Sequence, residues 1–76
     1  MISIDNLIQL IANALEVDPS KLDRTSTTES IESWDSIGHI TILGLLEDTN
    51  PGILDALPDL ATANSVEALW MLLNQK

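Results

Sequence analysis

Apolar residues recur at helical spacing in three separate stretches of this chain, and segments containing proline interrupt the pattern between them. The first stretch covers residues 4–15, where apolar side chains stand at positions i, i+3, i+4 and i+7. Ser3 precedes it as an N-cap, and Asp5 places a negative charge at the positive end of the helix dipole. Because the alternation typical of a β-strand is sustained nowhere, the sequence predicts an all-α fold.

A long stretch without any period, residues 16–35, follows the first predicted helix. Pro19 cannot continue a helix and disfavours helical backbone angles at Asp18. A connection of this length is uncommon in a small domain unless it has a function. We therefore expect a long, ordered first loop that crosses the bundle. Four side chains are expected to anchor it, namely Val17, Leu22, Ile31 and Trp34.

The second predicted helix covers residues 36–48, with Asp35 or Ser36 as its N-cap. Its many apolar residues predict burial on more than one side. Two glycines, Gly38 and Gly44, lie inside it, and each costs about 0.8–1 kcal/mol relative to alanine. We expect both to be tolerated rather than required.

The remainder of the chain predicts two helices of unequal length. Residues 53–57 have room for only a turn or two before Pro58. Asn64, followed three residues later by Glu67, resembles a capping box, and an apolar stripe then runs to the end of the chain. The expected fold is a four-helix all-α bundle with a long first loop and a short third helix, forming one domain over residues 1–76.

The charge balance argues against several classes of function. Twelve acidic residues against three basic ones give a formal net charge of −9, which repels nucleic acid and anionic lipid surfaces. With no cysteine and a single histidine, neither a disulfide nor a metal site is expected. No signal peptide and no apolar run of about 20 residues is found. We therefore expect a monomeric cytoplasmic protein that does not insert into membranes.

Only one pair of residues suggests catalysis, Ser36 and His39, which lie on the same side of one predicted helix. A serine at a helix N-terminus is far more often a cap than a nucleophile, and no oxyanion-hole loop accompanies it. We therefore expect no enzymatic activity, and a small hydrolase is the remote alternative.

The segment Trp34-Asp35-Ser36-Ile37 stands where the second helix must begin. With the long loop before it and the apolar spacing after it, it resembles the acyl carrier protein family, in which an Asp-Ser-Leu-like triplet opens the second helix of a four-helix bundle. The resemblance covers residues 4–74. It implies that Ser36 carries 4'-phosphopantetheine, added from coenzyme A by a phosphopantetheinyl transferase, which would make the chain a phosphoprotein. The thiol of this arm would hold an acyl group as a thioester.

The same resemblance implies that partner enzymes, acyl-loading ligases or synthases, contact the surface around Ser36. The implied contact residues are Asp35, Ile37, His39, Glu47 and Asp48. Carriers of fatty acid synthesis usually have acids along the whole second helix, whereas here they occur only at its end. We therefore expect a specialised fatty-acid or polyketide-like pathway. For His39, simple exposure to solvent is favoured over a partner contact.

Two alternatives remain at this point. An aminoacyl carrier, peptidyl or D-alanyl, would use the same serine, whereas an unmodified acidic helical interaction module would use the bundle without the cofactor. If acyl cargo is sequestered, residues of the second to fourth helices would line its cavity, namely Ile40, Leu43, Leu46, Ile53, Leu54, Leu57 and Leu69. The same residues would equally form an ordinary bundle core.

Overall fold

A computed structural model describes residues 2–74 of the chain. Four α-helices are present in this range: α1 (Ile4–Leu15), α2 (Ser36–Thr49), α3 (Ile53–Ala56) and α4 (Val66–Leu73). Two short 3-10 turns, Pro19–Lys21 and Pro58–Thr62, lie in the connections. The described part of the chain contains no β-strand, so the all-α expectation is confirmed for it. None of its helices is long and apolar enough to cross a bilayer.

One apolar core joins α1, α2 and α4. Its fully buried members come from all three helices, from the first loop and from the second 3-10 turn, namely Leu7, Ile11, Trp34, Ile42, Leu60, Val66 and Leu69. α2 contributes a single buried stripe of Gly38, Ile42 and Leu46, spaced four residues apart. The expectation that α2 is buried on more than one side is therefore wrong, because Ile37 and Ile40 are 74% and 67% exposed.

Side-chain caps fix where the helices begin. The predicted cap of α1 is confirmed, since the Ser3 hydroxyl accepts a hydrogen bond from the Asn6 amide at 3.1 Å. For α4 the prediction is wrong by one residue. Ser65, not Asn64, is the N-cap, and its hydroxyl accepts from the Ala68 amide at 3.0 Å. The Asn64 carbonyl instead accepts from the Thr28 amide at 3.0 Å.

The first loop is ordered, as expected, and it is attached to the start of α4. The Val66 amide donates to the Ser26 carbonyl at 3.0 Å, beside an isolated antiparallel bridge between Thr27 and Ser65. Nearby, Arg24 forms an ion pair with Glu67 at 3.2 Å and lies over the ring of Trp70. Two of the four expected anchors, Leu22 and Trp34, are buried at 6% and 1% exposure, whereas Val17 and Ile31 are half-buried.

Two aspartates shape the turns of this loop. The Asp18 carboxylate accepts from the Ser20 amide at 2.9 Å, and this hydrogen bond lowers the pKa of Asp18. The Asp23 carboxylate accepts from the hydroxyl and amide of Thr25 at 2.6 and 2.8 Å, which lowers the pKa of Asp23. The loop thus owes its course to local hydrogen bonds as well as to apolar anchors.

Candidate functional site

Ser36 is the first residue of α2 and is exposed to solvent. The N-cap is Asp35, whose carboxylate accepts a hydrogen bond from the Gly38 amide at 2.8 Å. The open choice between Asp35 and Ser36 as the cap is therefore settled in favour of Asp35. The Ser36 side chain is therefore not used as the cap, and the residue that carries it is exposed.

The first turn of α2 packs directly against the loop and α1. A Cβ added to Gly38 would collide with the Ser33 carbonyl oxygen and lie 2.7 Å from Cδ2 of Leu15. The expectation that Gly38 is merely tolerated is therefore wrong, because the close approach needs a residue without a side chain. Gly44 has nothing within 4 Å of such a Cβ, so the expectation holds there.

His39 joins three segments of the chain. Its Nδ1 accepts a hydrogen bond from the buried Trp34 indole at 3.0 Å, and its Nε2 lies 2.9 Å from the Leu60 carbonyl oxygen. A neutral imidazole with its proton on Nε2 satisfies both contacts, since the Leu60 oxygen can only accept. His39 is half-buried, so the expectation of a simply exposed residue is wrong.

The two hydrogen bonds of His39 also decide whether it can act as a base for Ser36. A general base needs a free ring nitrogen within hydrogen-bond reach of the hydroxyl that it deprotonates. Both nitrogens of His39 are instead committed to Trp34 and Leu60. The arrangement therefore serves to position α2 and does not provide Ser36 with a base.

The two acids near the end of α2 have different surroundings. Glu47 is half-buried, and its carboxylate accepts hydrogen bonds from the amides of Gly52 and Leu54 at 2.7 and 3.3 Å. It thereby caps the start of α3 from the preceding helix. Asp48 is exposed. Of these two expected partner contacts, Asp48 is the exposed one, and its carboxylate has no hydrogen-bond partner among residues 2–74.

The solvent face of α2 carries no charge until Asp48. Four exposed residues form it at helical spacing, namely Ile37, Ile40, Thr41 and Gly44. Two large apolar side chains thus stand within about one turn of Ser36, in an otherwise acidic protein. We call these four residues the α2 face.

The residues that would line a cavity for sequestered cargo do not share one environment. Ile40 is exposed, and Leu46 and Leu69 belong to the closed core. A pocket lined by Leu46 and Ile53 has a volume of only about 80 Å³. Leu46 also lies about 15 Å along the helix axis from Ser36. This pocket is therefore too small and too distant to enclose a chain attached to that serine.

A larger groove, which the sequence did not indicate, borders the site on the loop side. It has a volume of about 610 Å³, is open to solvent and reaches Asp35, the residue before Ser36. The half-buried Val17 and Ile31 contribute its apolar lining. Their apolar character within the loop was the only sequence signal for it, since an anchor that stays partly exposed leaves an apolar surface. We call it the loop groove.

Residues 2–74 contain no cluster of three or more residues suited to bind a metal ion. The described chain is thus an all-α fold in which an exposed serine opens the second of four helices. No family model, curated protein or solved structure matches this chain.

Proposed function

We propose that this chain is an acyl carrier protein, modified with 4'-phosphopantetheine on Ser36. The observation that carries the proposal is the placement of Ser36, exposed and free of the capping role at the first position of a 14-residue helix. Asp35 supplies the cap instead, so a substituent on Ser36 leaves the helix end intact.

The surroundings of Ser36 fit a phosphodiester. The first amides of a helix point out of its N-terminus, and the helix dipole favours an anion there. Of these amides, that of Gly38 is already bound by Asp35. On loading, the Ser36 oxygen would bond to the phosphorus that bears pantetheine and lose its proton to the transferase. The pyrophosphate bond of coenzyme A would break, and adenosine 3',5'-bisphosphate would leave.

When bound, the prosthetic group would supply a thiol that carries an acyl chain as a thioester. The residues of this chain would then have two tasks, holding the attachment point and presenting a surface to partner enzymes. Ile37 and Ile40 provide the apolar centre of such a surface. Asp35 and Asp48 place carboxylates at its two ends, which favours a partner with an apolar patch and a basic rim.

The charge of this surface bears on the choice of partner enzyme. Because the α2 face is uncharged, it favours a dedicated partner in a specialised fatty-acid or polyketide-like pathway. An aminoacyl carrier would use the same serine and the same face. In either case we propose a cytoplasmic protein that acts with a transferase and with loading ligases or synthases.

One observation also favours a second candidate. Ile37 and Ile40 form an exposed apolar pair whether or not Ser36 is modified, and such patches mark interaction sites. An unmodified acidic interaction module would bind a partner through this pair alone. The two candidates differ in whether Ser36 accepts the arm.

The test is intact mass spectrometry after incubation with coenzyme A, magnesium and a broad-specificity phosphopantetheinyl transferase. We expect the wild type to gain the mass of one phosphopantetheine and Ser36→Ala to gain none. Ser20→Ala, which removes an exposed loop serine, is the matched control and should load normally. Because Ser36 is not the cap, the unfolding free energy of S36A should lie within about 0.5 kcal/mol of the wild-type value. Failure of the folded wild type to load would favour the interaction module.

A further inference from the structure

The loop groove lies directly beside the proposed attachment point. Val17, beyond the end of α1, and residues of the segment that leads into α2 line it, Asp35 among them. A volume of about 610 Å³ lies within the usual range of small-molecule sites, about 300–1,000 Å³. A group attached to Ser36 therefore begins at the edge of a groove large enough to receive it.

The groove lining combines apolar and polar groups. Val17 and Ile31 are half-buried and leave part of their side chains on the groove wall. The Ser33 hydroxyl is shielded from water and has no hydrogen-bond partner among residues 2–74. A shielded hydroxyl without a partner is unfavourable. A change of the Ser33 rotamer that turns the hydroxyl into the groove would let an amide or hydroxyl of a ligand supply the missing partner.

Lys21 gives the groove a positive charge. Within the described residues the single ion pair joins Arg24 to Glu67, and the exposed Lys21 ammonium forms none, although it lies close enough to Asp18 to help lower the pKa of that carboxyl. Because the protein carries a net charge of −9, a cation available at this place is uncommon on its surface. Glu32 and Asp35 also line the groove, so its charge is mixed rather than purely basic.

We infer that the loop groove holds the pantetheine arm of loaded Ser36, an inference that rests on the proposed function. Pantetheine alternates methyl and methylene groups with a hydroxyl and two amides, and a phosphate links it to serine. Its apolar parts suit Val17 and Ile31, its amides and hydroxyl suit the Ser33 hydroxyl, and its carbonyl oxygens can accept hydrogen bonds from the Lys21 ammonium. An arm held there leaves the α2 face uncovered, so a partner can dock before the arm is drawn out.

The direct test compares amide chemical shifts of isotope-labelled protein before and after loading, with loading verified by intact mass. Residues next to Ser36 will shift in any case, because a phosphodiester appears beside them. The decisive amides are those of Val17 and Lys21, which are distant from Ser36 in sequence and belong to residues that line the groove. We expect both to shift on loading. Shifts confined to the first turn of α2, or extending instead to α3, would overturn the inference.

A second test measures how fast a maleimide alkylates the thiol of the loaded protein. Ile31→Ser removes apolar surface from the groove and should raise the rate at least about threefold, since the arm spends more time in solvent. Lys21→Gln should raise it less. Met71→Ser removes an exposed apolar side chain on α4 and should leave the rate unchanged.

The two proposals fail in different ways. If the folded wild type accepts no arm, the carrier function is wrong and the groove has no arm to hold. If the arm is accepted but I31S and K21Q react no faster than the wild type, only the groove inference is wrong. Thermal unfolding shows whether I31S is folded. If it is not, the groove inference is judged from the alkylation rate of K21Q and from the chemical shifts of the wild type.

Discussion

The two halves of α2 differ in how closely they contact the rest of the molecule. In the first half, Gly38 lets the helix backbone approach the loop, and His39 connects the helix to Trp34 and Leu60. In the second half, Gly44 faces open space, and Glu47 reaches forward to cap α3. The half that presents Ser36 is therefore held in place by its neighbours, whereas the other half supports the start of α3.

This difference shows how an exposed side chain can stand on a backbone turn that has a defined position. The Ser36 side chain is open to solvent, yet the turn that carries it is fixed by the Asp35 cap and by close contact at Gly38. The proposed modification of Ser36 needs both access and a defined position. The first half of α2 combines them, because Gly38 and His39 make their contacts on the side of the helix that faces the loop and Leu60.

The largest effect should come from Gly38→Ala. The new Cβ would collide with the Ser33 carbonyl oxygen, so the loop or the helix must move, and we expect a loss of about 1–3 kcal/mol in unfolding free energy. Urea denaturation followed by circular dichroism measures it. A stability equal to or above that of the wild type would mean that the loop yields easily and that the two halves of α2 do not differ in this way.

A smaller effect is expected from Glu47→Ala. This change removes the acceptor of the Gly52 and Leu54 amides at the start of α3 and should cost about 1 kcal/mol. Asp48→Ala is the matched control, since the neighbouring carboxylate is exposed, and it should stay within about 0.5 kcal/mol of the wild type. Equal effects of the two substitutions would show that Glu47 acts only through its charge.

The smallest effect, and one of opposite sign, is expected from Gly44→Ala. Alanine favours the helix, and nothing lies within 4 Å of the added methyl group, so stability should rise by about 0.5–1 kcal/mol. Thermal unfolding provides the measurement. A loss of stability instead would place an unrecognised close contact in the second half of α2 and remove the contrast with Gly38.

The helices and their order could be predicted from the sequence because apolar spacing and proline breaks are local signals. The start of α1 at Ser3 was predictable for the same reason. The start of α4 was not, because Asn64 and Ser65 are both good caps and the choice depends on a tertiary contact. The Asn64 carbonyl accepts a hydrogen bond from the loop residue Thr28, and Ser65 is therefore the residue that caps the helix.

The site was predictable only in part. The exposure of Ser36 and Ile37 agrees with residues expected on the surface of the site. Three features depend on contacts between segments distant in sequence, which local patterns do not encode. They are the close approach at Gly38, the His39 bridge to Leu60 and the loop groove. A glycine in a helix gives no local sign of whether another chain segment lies against it.

The hydrogen bond between Trp34 and His39 has a consequence for the dynamics of the molecule. The indole proton of Trp34, a residue with 1% exposure, is bound to a ring that is itself held by Leu60. It can exchange with deuterium only when the loop separates from α2. Its exchange rate therefore reports the opening free energy of the segment that carries Ser36, through a single resonance far downfield of the amide spectrum.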